Sequence, residues 1–203
     1  ACAENSIPVL VLDRPNPNSH YVDGPVLDTA FKSFVGMHPI PIVHGMTMVE
    51  YAQMINGEYW LKDSMQCELY WQEMKNYDHQ KSYDLPIKPS PNLPNSQSIA
   101  LYPTLCLFEG TDMSVGRGTS QQFQVIGSPK LDSCFYAFTP ISGQGAKYPK
   151  HENKDCCGWD LRDIEVQNKV DIKYLIEAYR KYEEKDERFF NSFFDKLAGS
   201  SQL

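Results

Sequence analysis

The stretch "PVLVLDRPNP", residues 8–17, contains the pattern that decides the fold class. Its apolar run from Pro8 to Leu12 ends at Asp13, and the two prolines that follow cannot continue a hydrogen-bonded ladder. A short apolar run bounded in this way predicts a buried parallel strand, which is typical of α/β proteins. Arg14 and Asn16 then lie just past the carboxyl end of the strand, where open α/β sheets bind ligands.

A second transition from strand to loop follows in "PIPIVHGMTMVEYAQMING", residues 39–57. The pattern predicts a short strand that ends near His44 and then a helix that Thr47 and Glu50 cap and Gly57 ends. The capping box explains Glu50 structurally, and we prefer that role to catalysis. His44 either orients a substrate hydroxyl or carboxylate, or is a satisfied core or cap histidine.

The remaining elements are read from apolar runs and turn residues. "SIALYPTLCLFEG", residues 98–110, predicts a helix entered after Asn95 or Ser96, with Pro103 either kinking it or marking its first turn. Asp171 is expected to cap a helix over residues 172–184, with an apolar stripe at 172, 175, 176 and 179 facing the core. Strands are predicted within 122–129, 133–141 and 158–166, and residues 187–199 are similar in character to the helix before them.

Composition and charge narrow the class of partner. Of the 203 residues, 41% are hydrophobic and 22% charged, as in an ordinary globular protein. The net charge of −7 argues against nucleic acid or an anionic membrane surface as the main partner. No apolar run approaches the ~20 residues that a bilayer requires. The chain has no glycine-rich phosphate loop, no nucleophile elbow and no His-Glu-x-x-His, so we predict no cofactor.

Six cysteines are too few for a disulfide-built scaffold of this length. Cys156 and Cys157, close to His151 and Asp155, are the one candidate for a metal site. They lack Cys-x-x-Cys spacing, and adjacent residues rarely face one ion. We therefore predict no metal, and we interpret Cys106, inside an apolar run, as core filling.

The segment "LCLFEGTDMSVGRGTSQQF", residues 105–123, places Glu109 at the end of an apolar run and Arg117 between two glycines. The glycines indicate a sharp turn or a close approach of the backbone. Arginine is the side chain best suited to hold a planar anion at two points. Its partner could be a ligand carboxylate, a phosphate, or Glu109 itself.

Taken together, several stretches resemble one known family. "VLDRPNP…VDGPVLD", "SFVGMHPIPIVHGMTMVEYA", "PSPNLPNSQSIALYPTLCLFEGTDMSVGRGT", "FQVIGSP" and "FFDKLAG" occur in this order and extend from about Val11 to Gly199. They resemble the exo-β-N-acetylmuramidase (NamZ-type) family, formerly a domain of unknown function. The resemblance implies a glycoside hydrolase that removes terminal N-acetylmuramic acid from peptidoglycan fragments and that is periplasmic or secreted.

The resemblance also implies a domain organisation. It implies the end of a Rossmann-like parallel-sheet domain over residues 1–45, followed by a smaller α/β (α+β) domain over residues 46–203, with the site in the cleft between them. The chain begins with what reads as the end of a helix, and it resembles the C-terminal portion of a member. An upstream segment of the family with a Glu-His-Gly stretch, which carries the leading general-acid candidate, has no match here. The family often has Glu where Val115 stands.

On this resemblance we expect a site that binds a peptidoglycan-derived saccharide, with the missing N-terminal portion as a possible partner. Glu109 is the expected second carboxyl, which stabilises the oxocarbenium-like centre or activates water, with His44 beside it. An ion pair with Arg117 is the equally weighted alternative for Glu109. Arg117 or Arg14 is expected to read the lactyl carboxylate that distinguishes muramic acid from glucosamine. The other predicted substrate-binding residues are Asn16, Asn92, Tyr102 and Ser114.

Some of these residues could instead have a purely structural role. The asparagines, each followed by proline or lying close to one, could simply form turns, and Tyr102 could simply pack. A non-catalytic glycan-binding or cell-envelope interaction module is the alternative function. A nucleotide-binding Rossmann enzyme is a third reading, against which the absence of Gly-x-Gly-x-x-Gly counts.

Overall fold

The first part of the chain forms two small sheets and one helix. The computed structural model describes residues 1–132, 134–183 and 188–203. β1 (Val9–Leu12) pairs in parallel with β4 (Leu69–Gln72), and β2 (Asp23–Val26) pairs antiparallel with β3 (Pro41–Val43). Short 3₁₀ turns cover Ala3–Asn5, Thr29–Phe31 and Lys62–Ser64. The predicted α/β class is confirmed.

The first strand is parallel, as predicted, but it is not buried. Leu10 is 64% exposed and Leu12 67% exposed, whereas Val9 and Val11 are half-buried. Successive side chains of a strand point to opposite faces. α1 (Met48–Gly57) contacts this strand, and among the described residues no second layer covers the face that carries the two leucines. The prediction of burial is therefore wrong for one face of the strand.

α1 begins and ends where its sequence signals predict. The Thr47 hydroxyl accepts from the Glu50 N–H, and Glu50 Oε2 accepts from the Thr47 N–H at 2.7 Å. Asp13 adds a second cap from the end of β1, because its carboxylate accepts from the Thr47 hydroxyl at 2.9 Å and from the Val49 N–H at 3.1 Å. These bonds satisfy N–H groups that a helix start leaves unpaired.

The main core lies in the second half of the chain. A three-stranded antiparallel sheet has the order β5 (Val125–Ser128), β7 (Cys156–Asp160), β6 (Tyr136–Phe138). β7 begins earlier than predicted and ends at Asp160. Beside the sheet lie α2 (Ser96–Leu105), a 3₁₀ helix (Cys106–Gly110), α3 (Lys173–Glu183) and α4 (Phe194–Ala198). The core side chains that are wholly enclosed include Leu105, Leu107, Phe108, Met113, Phe123 and Ile126.

α2 contains a proline that changes its hydrogen bonding. Asn95 caps the helix by accepting from the Ser98 N–H at 2.9 Å, as predicted. Pro103 lies in the last turn and has no N–H, so the Ile99 carbonyl lacks its usual helical partner. Asn18 Nδ2 donates to that carbonyl at 3.1 Å. A loop from the first part of the chain thus completes the helix.

The C-terminal elements differ in part from prediction. Asp171 Oδ1 accepts from the Lys173 N–H at 3.1 Å, but the Ile172 carbonyl accepts the first helical bond of α3, so Asp171 forms a turn one residue before the N-cap and not the predicted cap. The buried face of α3, however, consists of Leu175, Ala178 and Tyr182, whereas Ile176 and Tyr179 are partly exposed. The prediction assigned the buried face from the positions of the large apolar residues. It did not include Ala178, whose small side chain lets α3 approach the core closely. In the stretch 187–199 only residues 194–198 form an α-helix, and residue 187 lies outside the described residues.

The adjacent residues Cys156 and Cys157 differ in their bonding state. Cys157 forms a disulfide with Cys134, and Cys156 is a free, buried thiol. Both belong to β7, where neighbouring side chains point to opposite faces. No cluster of three or more potential metal ligands occurs among the described residues. In the same ranges, no helix has the length and apolar character needed to cross a membrane.

Candidate functional site

The glycines around Arg117 are required by the backbone. Gly116 has a φ of +74° and Gly118 a φ of +81°, in the left-handed region that favours glycine. A Cβ on Gly116 would lie 2.7 Å from the Gln121 carbonyl oxygen. This turn directs the Arg117 side chain to Glu109, whose Oε1 accepts from Nε at 2.9 Å and lies 2.8 Å from Nη2. The ion pair that the sequence left as an alternative is present.

Glu109 also lies on the wall between two cavities. The "arginine cavity", about 430 Å³, is lined by Glu109, Ser114, Arg117, Lys147 and Lys150, among others. The "aromatic cavity", about 480 Å³, is lined by His38, His44, Tyr51, Tyr102 and Glu109, among others. A ligand that occupied both cavities would have the bond between its two parts beside the Glu109 carboxylate, which could then act on that bond.

One side of the aromatic cavity is the end of α2 and the 3₁₀ turn that follows it. Tyr102, Cys106 and Glu109 are four and three residues apart, so they lie on one helical face. Tyr102 is 38% exposed, and its ring lies 5.0 Å from that of Phe123. Burial raises the pKa of the Cys106 thiol to about 12, and the Glu109 carboxylate adds to this effect. Tyr102 therefore offers a partly open ring, and Cys106 a neutral thiol.

Three further rings in the lining of the aromatic cavity, those of His38, His44 and Tyr51, take part in ring stacking. His44 stacks on Tyr51 with ring centroids 5.5 Å apart, and His38 stacks on Trp60 at 5.1 Å. The Tyr51 hydroxyl lies 2.7 Å from His38 Nδ1. Burial lowers the pKa of His44 and of His38, and Lys32 contributes to the effect on His38. These rings form an uncharged, aromatic wall of the kind that sugar faces contact.

The hydrogen bonds of His44 fix its protonation pattern. Its Nδ1 lies 3.1 Å from the Met46 backbone N, whose N–H donates to it. A neutral imidazole that accepts at Nδ1 carries its proton on Nε2. His44 lines both the aromatic cavity and a third, the "proline cavity" of about 610 Å³, lined by Arg14, Asn16, His44, Tyr83, Pro86 and Pro89, among others. It suits the role of a hydrogen-bond donor better than that of a base.

Arg14 and Asn16 lie at the far end of this row of three cavities. Arg14 is exposed and lines the proline cavity, whereas Arg117 lines the arginine cavity. The side chain of Asn16 donates to the Met46 carbonyl at 2.9 Å and accepts from the Asn18 N–H at 2.9 Å. Its polar atoms are thus engaged in the turn that the sequence offered as the structural reading.

Asn92 and Ser114 have internal hydrogen-bond partners. Asn92 is 6% exposed, lines none of the three cavities and donates to the Gly145 carbonyl at 2.8 Å. It therefore supports the wall of the arginine cavity from behind, since Gly145 is part of that wall. Ser114 is buried, lines the arginine cavity, and its Oγ accepts from the Gly116 N–H at 3.3 Å.

One segment that contributes to the arginine cavity, "KYPKH", residues 147–151, was not among the predicted site residues. Lys147, Tyr148 and Lys150 line the arginine cavity. The Lys150 ammonium donates to the carbonyls of Thr111 and, at 3.0 Å, Met113. Burial lowers the pKa of Lys150, while the charges of Asp112 and Glu109 act in the opposite direction. The sequence signal that could have indicated this segment is the pair of lysines on either side of Tyr148 and Pro149.

Comparisons with known proteins are consistent along the whole chain. A model of the N-terminal part of exo-β-N-acetylmuramidase NamZ matches residues 1–97, and a model of its C-terminal part matches residues 100–203. The peptidoglycan β-N-acetylmuramidase NamZ of Bacillus subtilis (strain 168) is 36% identical over 100% of this chain and 53% of its own length. The chain therefore spans about half the length of the curated relative it matches.

Solved structures show the same fold. A DUF1343 family protein of Bacteroides fragilis NCTC 9343 is 51% identical, with a TM-score of 0.94 over 98% of this chain and 57% of its own. A second DUF1343 family protein of that organism is 24% identical, with a TM-score of 0.78 over 99% of this chain and 59% of its own, and it supports the fold alone.

Proposed function

The chain belongs to the exo-β-N-acetylmuramidase NamZ family, and on that premise we propose that it contributes the substrate cleft of a glycoside hydrolase. The enzyme would remove terminal N-acetylmuramic acid from peptidoglycan fragments and act in the periplasm or outside the cell. The observation that carries this proposal is the position of Glu109 between a cavity rich in cations and a cavity lined by aromatic rings.

The two cavities suit the two sides of the scissile bond. Muramic acid carries a lactyl carboxylate, which fits the cavity at Arg117 and Lys150. The sugar that leaves would contact Tyr102 and the rings around His44, since apolar faces of sugars pack on aromatic side chains. In this arrangement the glycosidic bond lies beside Glu109.

Glu109 is assigned the role of the anionic carboxyl. Its Oε1 is bound to Arg117, which positions the carboxylate and leaves Oε2 as the atom available to the substrate or to a water. Hydrolysis by two carboxyl groups needs neither metal nor cofactor. The acid that protonates the leaving oxygen would come from a segment with no counterpart in these 203 residues, since the chain covers 53% of the length of the curated relative. His44 Nε2–H would donate to a substrate hydroxyl.

A chromogenic N-acetylmuramic acid glycoside tests the assignment of Glu109. The chain is assayed alone and with the upstream portion of a relative supplied, as wild type, as Glu109→Gln and as Glu50→Gln. Glu50 is the matched control, because it is a glutamate that caps α1 and lines none of the three cavities. Loss of one catalytic carboxyl costs about 10²–10⁴ in kcat.

We expect a loss of this size for Glu109→Gln and a change within about threefold for Glu50→Gln. Equal activity of both variants would refute the role of Glu109. Binding of the glycoside without turnover in either form would instead favour a glycan-binding module.

A further inference from the structure

The arginine cavity is locally cationic in a protein of net charge −7. Arg117, Lys147 and Lys150 line it, and among the described residues that line it Glu109 is the one carboxylate. The Asp112 side chain lies nearby but binds the Tyr182 hydroxyl at 3.0 Å and lies 3.4 Å from Lys130. A concave site lined mainly by one sign of charge concentrates ligands of the other sign.

Lys150 is held in place by the main chain. Two of its three ammonium hydrogens are engaged by the Thr111 and Met113 carbonyls. The next residue reinforces this contact, because His151 Nε2 lies 2.6 Å from the Asp112 carbonyl oxygen. A lysine fixed in this way gives up less side-chain entropy when a ligand binds than a free lysine does.

The three cations of the cavity are not equivalent. Arg117 already neutralises Glu109 through Nε and Nη2. Lys147 is exposed, and its ammonium lies 5.3 Å from the centre of the Tyr148 ring. The partners of Lys150 are neutral carbonyls, and no carboxylate among the described residues forms an ion pair with it. Lys150 is therefore the fixed positive charge of this wall that has no directly bound anion.

We propose that the arginine cavity is a carboxylate-binding subsite and that Lys150 is its specificity-determining residue, with the third ammonium hydrogen donated to the carboxylate of the ligand. This deepens the proposed function and rests on it, since the carboxylate in question is the lactyl group of the muramic residue. Arg117 assists with its remaining N–H groups. A ligand without the charge leaves the third N–H of this half-buried ammonium without an anionic partner, and a site of this kind disfavours such a ligand.

Isothermal titration calorimetry at neutral pH tests this subsite with three probes: N-acetylmuramic acid, its methyl ester and N-acetylglucosamine. The ester keeps the size of the lactyl group and removes its charge. For the wild type we expect the acid to bind at least about tenfold more tightly than the ester, as a charge-assisted hydrogen bond in a partly buried site requires. Lys150→Met should reduce that ratio to about one and leave the affinity for N-acetylglucosamine unchanged.

Lys147→Met is the matched control, because it removes the same charge from the same cavity at an exposed position. It should keep the preference for the acid within about threefold of the wild type, as exposed charges contribute little. A parallel thermal melt of each variant shows whether it is folded. If Lys150→Met does not fold, Lys150→Gln serves in its place, because its amide keeps an N–H donor for the two carbonyls and lacks the charge.

Each outcome decides the proposal. Equal binding of the acid and the ester by the wild type overturns the subsite, and equal losses in the Lys147 and Lys150 variants overturn the role of Lys150. If either of these results is found but Glu109→Gln still abolishes hydrolysis of the muramic glycoside, only the proposed subsite is wrong and the proposed function stands. If no muramic ligand binds and Glu109→Gln leaves turnover unchanged, the proposed function fails with it.

Discussion

The turn that presents Arg117 should be sensitive to one added methyl group. In Gly118→Ala the new Cβ would lie 2.6 Å from the Ile141 carbonyl oxygen and 2.8 Å from Pro149 Cγ. Neither neighbour can rotate away, since one is backbone and the other a proline ring. The Gly118 carbonyl also accepts from the Ile141 N–H at 2.8 Å, so the turn cannot shift without breaking this bond.

Two costs determine the magnitude. Alanine in the left-handed region, here at a φ of +81°, costs about 1–2 kcal/mol. Forcing a methyl group into packed surroundings costs about 1–3 kcal/mol more. The lower entropy of the unfolded alanine chain offsets about 0.4–1 kcal/mol of this. The net loss in free energy of unfolding should be about 2–4 kcal/mol, and the urea midpoint should fall by about 1–2 M for an m value near 2 kcal/mol/M.

Equilibrium urea unfolding, followed by circular dichroism, measures this loss, with Gly57→Ala as the control. Gly57 is the last residue of α1, and a Cβ there would meet no atom within 4 Å. This control should gain up to about 1 kcal/mol, because alanine favours the helix. A midpoint for Gly118→Ala within about 0.3 M of the wild type would show that the turn does not need glycine, and the reasoning would fail.

Three further predictions follow from single contacts. Glu50, at 2.8 Å, raises the pKa of His79 above its ordinary value of 6.5. The stability that this pair contributes is therefore fully present below pH 6.5 and is lost as the pH rises through the folded-state pKa of His79. The urea midpoints of the wild type and of His79→Gln should therefore become equal at alkaline pH. A difference between the midpoints that stays constant with pH would contradict this. Cys106 is half-buried, and desolvation raises the pKa of its thiol to about 12. In a mass-spectrometric time course, iodoacetamide should therefore modify the exposed Cys2 at least about tenfold faster, and equal rates would contradict the raised pKa of Cys106. The Tyr182 hydroxyl is hydrogen-bonded to the buried Ser128 at 2.5 Å and to the Asp112 carboxylate at 3.0 Å. Tyr182→Phe should therefore lower the free energy of unfolding in urea by about 1–2 kcal/mol. An unchanged urea midpoint would show that these two hydrogen bonds make no net contribution to stability.

Local signals predicted the local structure well. The capping box of α1 depends on Thr47 and Glu50, three residues apart, so the sequence alone specifies it. The contact between Glu109 and Arg117 spans eight residues, and the glycines on both sides indicated the turn that makes it. Most of the predicted site residues line one row of cavities, and they lie in segments that end or follow β1, β3 and α2.

Contacts between distant segments could not be predicted. Asn92 binds a carbonyl 53 residues away, and Lys150 reaches carbonyls 39 and 37 residues away. No spacing in the sequence indicates such pairs, since only the packing of loops against each other brings them together. The disulfide between Cys134 and Cys157 depends in the same way on how the segment before β6 lies beside β7.

The bond from Asn18 to the Ile99 carbonyl has a consequence for folding order. Asn18 lies in the segment matched by the first family model, residues 1–97, and Ile99 lies just before the segment matched by the second, residues 100–203. Without the Asn18 side chain, the Ile99 carbonyl oxygen would bond to water, or the last turn of α2, which leads directly to Glu109, would rearrange. Because Pro103 supplies no N–H at this point, we expect the last turn of α2 to reach its final shape only after the loop of Asn18 has packed against it.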